Sequence, residues 1–168
     1  MGKMLIAGFV VLLTAGGCTS LTLRPYEIVS TVDKETDFAA LRTYAWAPGW
    51  PAFEEAQHEQ IVAAVNRELA ARHFTESADG HADVTVTYGV LRREDADLRV
   101  AGDVPDRELP TFPVITLVVR MREGDTRREL FSVRADTPVQ SVGTAATTID
   151  NRIVQMFERY PERKSGHR

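Results

Sequence analysis

Residues 114–135 read VITLVVRMREGDTRRELFSVRA, and their reading decides the fold. Ile115, Leu117, Val119 and Met121 fall on one face of an alternating run, with Val114, Thr116, Val118 and Arg120 on the other. After a short polar break, Phe131, Val133 and Ala135 resume the same period of two. Side chains that alternate between faces mark a strand. Gly124-Asp125 in the break is a turn signal. The segment is expected to be an antiparallel hairpin, with its first run as a central strand.

The period of two recurs upstream. DVTVTYGVL (83–91) sets Val84, Val86, Tyr88 and Val90 against Thr85 and Thr87, the pattern of a half-buried strand. YEIVSTVD (26–33) aligns Tyr26, Ile28 and Val32, and TYAWAP (43–48) aligns Tyr44 and Trp46 before Pro48. Between them Asp37 is placed to cap one short helical turn.

The period lengthens twice. From Phe53 to Phe74, Ile61, Val62, Val65 and Leu69 form a stripe at helical spacing. Glu54, Glu55 and Glu59 lie toward its start and Arg72 and His73 toward its end, as the helix dipole favours. From Thr147 to Tyr160, Ile149, Ile153, Met156, Phe157 and Tyr160 form a second stripe, Thr147 with Asp150 resembles a capping box, and Pro161 closes it. Strands grouped rather than alternating with helices argue α+β. The expected architecture is an antiparallel β-sheet with two amphipathic helices packed on one face. Arg92 to Thr111 interrupts it with ten charges in 20 residues, together with Gly102, Pro105 and Pro110. It reads as a long loop, disordered or kept for a partner.

The N-terminus has a different grammar. Lys3 precedes the apolar run Leu5–Leu13, and small residues Ala15-Gly16-Gly17 precede Cys18. That is the order of a secretory signal, and the run is too short to span a bilayer. Ala15-Gly16-Gly17-Cys18 looks like a bacterial lipobox, with alanine where leucine is commoner. That resemblance implies cleavage before a cysteine that already carries diacylglycerol. The other reading is a secreted protein with one free thiol. The expected organisation is a lipoprotein signal peptide over 1–17, a lipidated tether over 18–25, a single α+β domain over 26–161 and a flexible tail over 162–168. Cys18 is the expected lipidation site, with acyl chains such as palmitate holding the chain to the membrane. Thr19 follows it rather than the aspartate that often retains such proteins at the inner membrane. By that likeness, the expected location is the outer membrane, facing the periplasm.

Cleavage would leave 151 of the 168 residues, and loss of Lys3 would take the formal net charge from −4 to −5. A mildly acidic chain is a poor nucleic-acid binder. With one cysteine there is no internal disulfide, so stability must rest on an apolar core.

DFAALRTYAWAP, IVAAVNRELAARHF, ADVTVTYGV, the 114–135 hairpin and the closing FERYP together resemble a family of bacterial envelope lipoproteins called domain of unknown function 4136. The likeness covers roughly residues 26 to 161, and RTYAW and Ala82-Asp83 are its most telling pieces. Where that family often has tryptophan followed by Arg-Gly in the last strand, this chain has Phe131-Ser132-Val133. The resemblance implies a fold and a location. It implies no catalytic or binding residues.

Motifs for chemistry are absent. His58-Glu59 opens like a zincin motif, but Val62 stands where the second histidine belongs. His73, His81 and His167 form no ligand spacing, so no metal, cofactor or catalytic residue is expected. Asp95 and Asp97 read as solvated rather than as an acid/base pair. Tyr26, Tyr44, Trp46 and Tyr88 either line a ligand groove or pack as ordinary strand aromatics. The expected function is non-enzymatic: binding an envelope protein or cell-wall partner from a membrane tether. Two alternatives stay open. One is a carrier or sensor of a small apolar ligand between helices and sheet. The other is a hydrolase joining His58 or His73 to a carboxylate and a hydroxyl.

Overall fold

A computed structural model describes residues 28–49, 52, 54–96, 110–139 and 145–161. Residues 1–27, Asp97, the 97–109 part of the charged segment, His167 and the 162–168 tail lie outside them. So do the expected signal peptide, Cys18, the tether and Tyr26. The elements are β1 (Val29–Val32), β2 (Thr43–Trp46), α1 (Glu55–Ala71), β3 (Thr75–Glu76), β4 (Val84–Ala96), β5 (Thr111–Glu123), β6 (Glu129–Pro138) and α2 (Ala145–Phe157). The six strands form one sheet in the order β1-β6-β5-β4-β2-β3.

The hairpin is β5 and β6, paired antiparallel through Val119↔Val133 and Leu117↔Ala135. β4 adds antiparallel to β5 and β1 antiparallel to β6. The expectation of a wholly antiparallel sheet is corrected at the other edge, where β2 runs parallel to both β3 and β4. The cause is α1. A parallel return needs a crossover of a dozen or more residues, and this 17-residue helix supplies it. The charged segment is also shorter than expected. Arg92–Ala96 extend β4, with Asp95 opposite Phe112 and Ala96 opposite Thr111.

Both helices lie on the face built by Val84, Val86, Tyr88, Val119, Met121, Phe131 and Val133. Val65 and Leu69 of α1 and Ile153, Met156 and Phe157 of α2 fill the layer above it, and all five are fully buried. α1 ends in a Schellman motif: Phe74 N–H donates to Leu69 O and His73 N–H to Ala70 O, with His73 at a left-handed φ of 61°. Buried Phe74 then joins the core beside Leu69. Arg72 joins the ends of the two helices, donating to Glu68 and to the Phe157 carbonyl while its guanidinium sits over the Phe157 ring. α2 begins two residues before the expected capping box, so Thr147 lies within its first turn. Asp150 pairs with Arg67 of α1 instead, at 2.6 Å.

The two family-like pieces RTYAW and Ala82-Asp83 meet in space. The Asp83 carboxylate accepts from the backbone N–H of Arg42 and of Thr43, and the Thr43 hydroxyl accepts from Asp83 N–H. Those bonds hold the Asp83 carboxyl below the usual carboxylate range. The hairpin tip closes on the same point, with Gly124 N–H donating to Asp83 O. A clasp at the base of β2 and β4 is thus made by segments far apart in the chain.

Candidate functional site: an aromatic cleft at the sheet edge

β2 ends at Trp46, and the chain leaves along β4 with Ala47 N–H donating to Val86 O. Gly49 then lies against the β4 backbone so closely that a Cβ there would come within 3.0 Å of Tyr88 O. This approach explains why glycine follows Pro48. Between this segment, α1 and β4 opens a cleft of about 310 Å³, lined by Trp46, Ala47, Pro48, His58, Val62 and Tyr88 together with Gly49.

Each wall is fixed by hydrogen bonds. His58, Val62 and Asn66 occur four residues apart and share one stripe of α1. The Asn66 side-chain oxygen accepts from Trp46 Nε1 at 3.0 Å and from the Tyr44 hydroxyl at 2.9 Å, and so sets both aromatics. Trp46 meets Tyr88 edge to face, with centroids 6.2 Å apart. The Tyr88 hydroxyl accepts from Ala52 N–H at 3.1 Å and lies 2.5 Å from His58 Nδ1. The Tyr88 hydroxyl thus bridges the Ala52 backbone and the His58 ring and ties α1 to the 48–52 segment.

Of the three described aromatics singled out in the sequence, Trp46 and Tyr88 line this cleft. Tyr44 does not. It is buried in the core, and burial together with the charge and hydrogen bond of Glu76 pushes its hydroxyl up to about 12. The layer between helices and sheet is filled by the core side chains, and the open space shown is a cleft at the sheet edge, between α1 and β4, rather than one that Tyr44 lines. Asn66 escaped the sequence reading. A polar residue in line with His58 and Val62 was its only signal.

Among the described residues, His58, His73 and His81 lie on three separate segments: α1, the turn after α1 and the turn before β4. The partner shown for the His58 side chain is a hydroxyl, not a carboxylate. His73 and His81 are exposed on separate loops. Among the described residues no group of three or more His, Cys, Asp and Glu is placed to hold a metal. The cleft offers two aromatic rings, an apolar wall and polar groups at the rim, which suits holding a ring-shaped ligand.

The opposite face of the sheet carries a second polar group. Arg93 donates to Thr116 Oγ1 at 2.7 Å and to Asp136 at 3.2 Å, the Thr116 hydroxyl donates to Asp136 at 2.7 Å, and Arg93 also pairs with Asp95 at 2.7 Å. Asp95, read as solvated, is therefore ion-paired at the end of β4. Burial pushes the Asp136 carboxyl up, but hydrogen bonds from Arg93 and Thr116 and the charges of Arg93 and Arg134 outweigh it and hold the group low. A carboxyl whose folded pKa is depressed contributes stability above its unfolded value of about 4, and that contribution is lost as pH falls through the folded value. Asp136→Asn is accordingly expected to cost about 1–3 kcal/mol at neutral pH. It is also expected to flatten part of the acid-side fall in stability. Urea unfolding between about pH 2 and 7 checks this; parallel curves for the two proteins would refute it.

The sequence profile described as Domain of unknown function (DUF4136) matches residues 28–162. The chain belongs to the DUF4136 family. A DUF4136 family protein from Bacteroides thetaiotaomicron superposes on this DUF4136 chain with a TM-score of 0.56 at 14% identity, covering 81% of this chain and 96% of the other. A PDZ domain protein from Parabacteroides distasonis gives 0.56 at 14% identity over 84% of this chain, which spans only 37% of that protein's length. The PelC dodecamer from Paraburkholderia phytofirmans gives 0.52 at 8% identity, covering 77% of this chain and 94% of that one. At such identities the likeness is one of fold. No curated protein matches the DUF4136 chain.

Proposed function

We infer that this DUF4136 protein is a lipid-anchored bacterial envelope protein that holds a ligand or partner and does not transform it. Two stable acyl chains at Cys18 would tether it, since buried chains contribute about 0.8 kcal/mol per CH₂. Outer-membrane attachment facing the periplasm is part of the proposal. Among the described residues no helix is long and apolar enough to cross a membrane. The binding role rests on one observation: the 310 Å³ cleft is walled by Trp46, Tyr88 and His58, and the imidazole is engaged by a hydroxyl rather than by an acid. That arrangement favours recognition of a ring, as in a cell-wall saccharide. The apolar wall of Ala47, Pro48 and Val62 supports the second reading, a small apolar ligand.

The anchor is tested at Cys18. Cys18→Ser is expected to block acylation and leave residues 1–17 attached, because the peptidase acts after lipidation. Wild-type protein should sediment with membranes, resist salt and come off in detergent, as acyl burial predicts. Mass spectrometry of the wild-type N-terminus decides it. An unmodified Cys18, or a chain starting elsewhere, overturns the anchor. The cleft is tested separately by titrating a soluble cell-wall disaccharide and a small aromatic against wild type and Trp46→Ala. A binding role confined to this cleft is refuted if neither compound saturates it, or if the variant binds as well as wild type.

A further inference from the structure

A second cleft, of about 270 Å³, lies on the other side of the Pro48–Gly49 segment, on the sheet face away from the helices. Its floor carries Thr87, Leu91, Val118, Arg120 and Arg122, and Pro48 forms a wall. The register explains the cluster. Arg120 stands opposite Thr87 on β4, and Arg122 follows two residues later on the same face. The two cations are therefore held side by side on a rigid sheet.

Their partners set them apart from the arginines of the tight ion pairs. Arg67, Arg72, Arg93 and Arg128 each reach a carboxylate within 3.0 Å. Among the described residues Arg120 has only Glu129, at 3.8 Å. Arg122 is half-buried and, among the described residues, makes no hydrogen bond or ion pair, although Glu129 is its register partner on β6. Two neighbouring guanidiniums, one without a counter-ion among the described residues, repel one another in a chain whose formal net charge is −4. An anion relieves that repulsion.

We propose that this cleft binds a phosphate monoester carried on an apolar body. A carboxylate occupies one arginine fork. A doubly charged phosphate has enough oxygens to accept from both guanidiniums and from the Thr87 hydroxyl. Leu91 and Val118 extend the floor beyond the charges, and Leu91 is 44% exposed although it is apolar. They receive the apolar part. The same chemistry occurs in a lipid headgroup and in a soluble phosphorylated metabolite.

The experiment is calorimetric titration of the full lipidated protein in neutral detergent. The probes are phenyl phosphate, dihexanoyl phosphatidic acid and, as the uncharged control, phenol. Saturable binding of at least one phosphate is expected, and excess phenol is expected not to displace it. The tighter phosphate identifies the source, lipid or soluble. Arg122→Gln is expected to weaken binding roughly tenfold, the worth of one charge-assisted contact, and to keep or slightly raise the unfolding midpoint, because it removes one of two neighbouring like charges and no hydrogen bond among the described residues. Glu129→Gln, which frees Arg120, is expected to tighten binding. Failure of both phosphates to saturate below about 10 mM overturns the proposal. So does an Arg122→Gln protein that binds as wild type.

Discussion

Phe157→Ala is expected to lower the unfolding free energy by about 3–5 kcal/mol, the usual cost of truncating a buried aromatic. Phe157 is fully buried on α2, with its ring 6.3 Å from that of Phe131 in β6. Phe131 in turn meets Tyr160 edge to face at 5.2 Å, and Tyr160 meets Phe38 at 5.4 Å and Phe74 at 6.2 Å. Removing one ring therefore leaves a hole that β6, α2 and the end of α1 all border. The surrounding sheet is too well tied to collapse into it. Denaturant unfolding followed by far-ultraviolet dichroism measures the loss, with an unchanged slope required for the comparison. A loss under about 1 kcal/mol would mean that the α2 stripe is not seated on the sheet as described.

Gly124→Ala is the second large effect, with an expected cost of about 3 kcal/mol, the upper end of overpacking. In hairpin turns glycine usually supplies a positive φ. Here that conformation falls on Arg127, at φ 59°, and not on Gly124. Gly124 is needed for proximity, since a Cβ would come within 3.0 Å of Ala82 O. The obstacle is backbone, held by the Asp83 clasp, and cannot swing aside as a side chain would. Gly80→Ala is the natural contrast: Gly80 has φ 78° and nothing within 4 Å, so only the backbone penalty of about 1 kcal/mol applies. Equal losses at the two sites would show that the hairpin tip yields and the clasp does not restrain it.

These residues also show what was legible in the chain. The β5–β6 hairpin and both helices follow from strict periods, because a one-sided element repeats its apolar residues at the spacing of its own geometry. The face shared by Leu117, Val119, Met121, Phe131 and Val133 could be read directly. β3 could not, because Thr75–Glu76 are two exposed residues with no period at all. The far half of β4 was hidden for a different reason. Arg92, Arg93 and Glu94 are exposed whichever way they point, so alternation disappears and charge imitates a loop. Parallel pairing of β2 escaped because it depends on where a crossover lands, which no local pattern states. The aromatic cleft was half legible. Trp46 and Tyr88 stood out as residue types, but Asn66 and His58 matter through partners 20 and 30 residues away. Arg120 and Arg122 gave no signal alone; their meaning lies in the register that sets them beside Thr87 on one face.

The edge strand β1 has a consequence for the order in which the molecule is made. Its ladder partner among the described residues is β6, with Val29 opposite Arg134 and Val32 opposite Phe131. The first strand therefore waits for the last, and closing so long a loop is an entropic cost met only when both are present. α2, which carries Phe157 and completes the apolar layer, comes later still. A chain emerging N-terminus first, from a ribosome or through a membrane, has neither its edge strand paired nor its core covered until nearly all of it has appeared. The pairing of β1 and the covering of the apolar layer are therefore set by the last residues of the domain to appear.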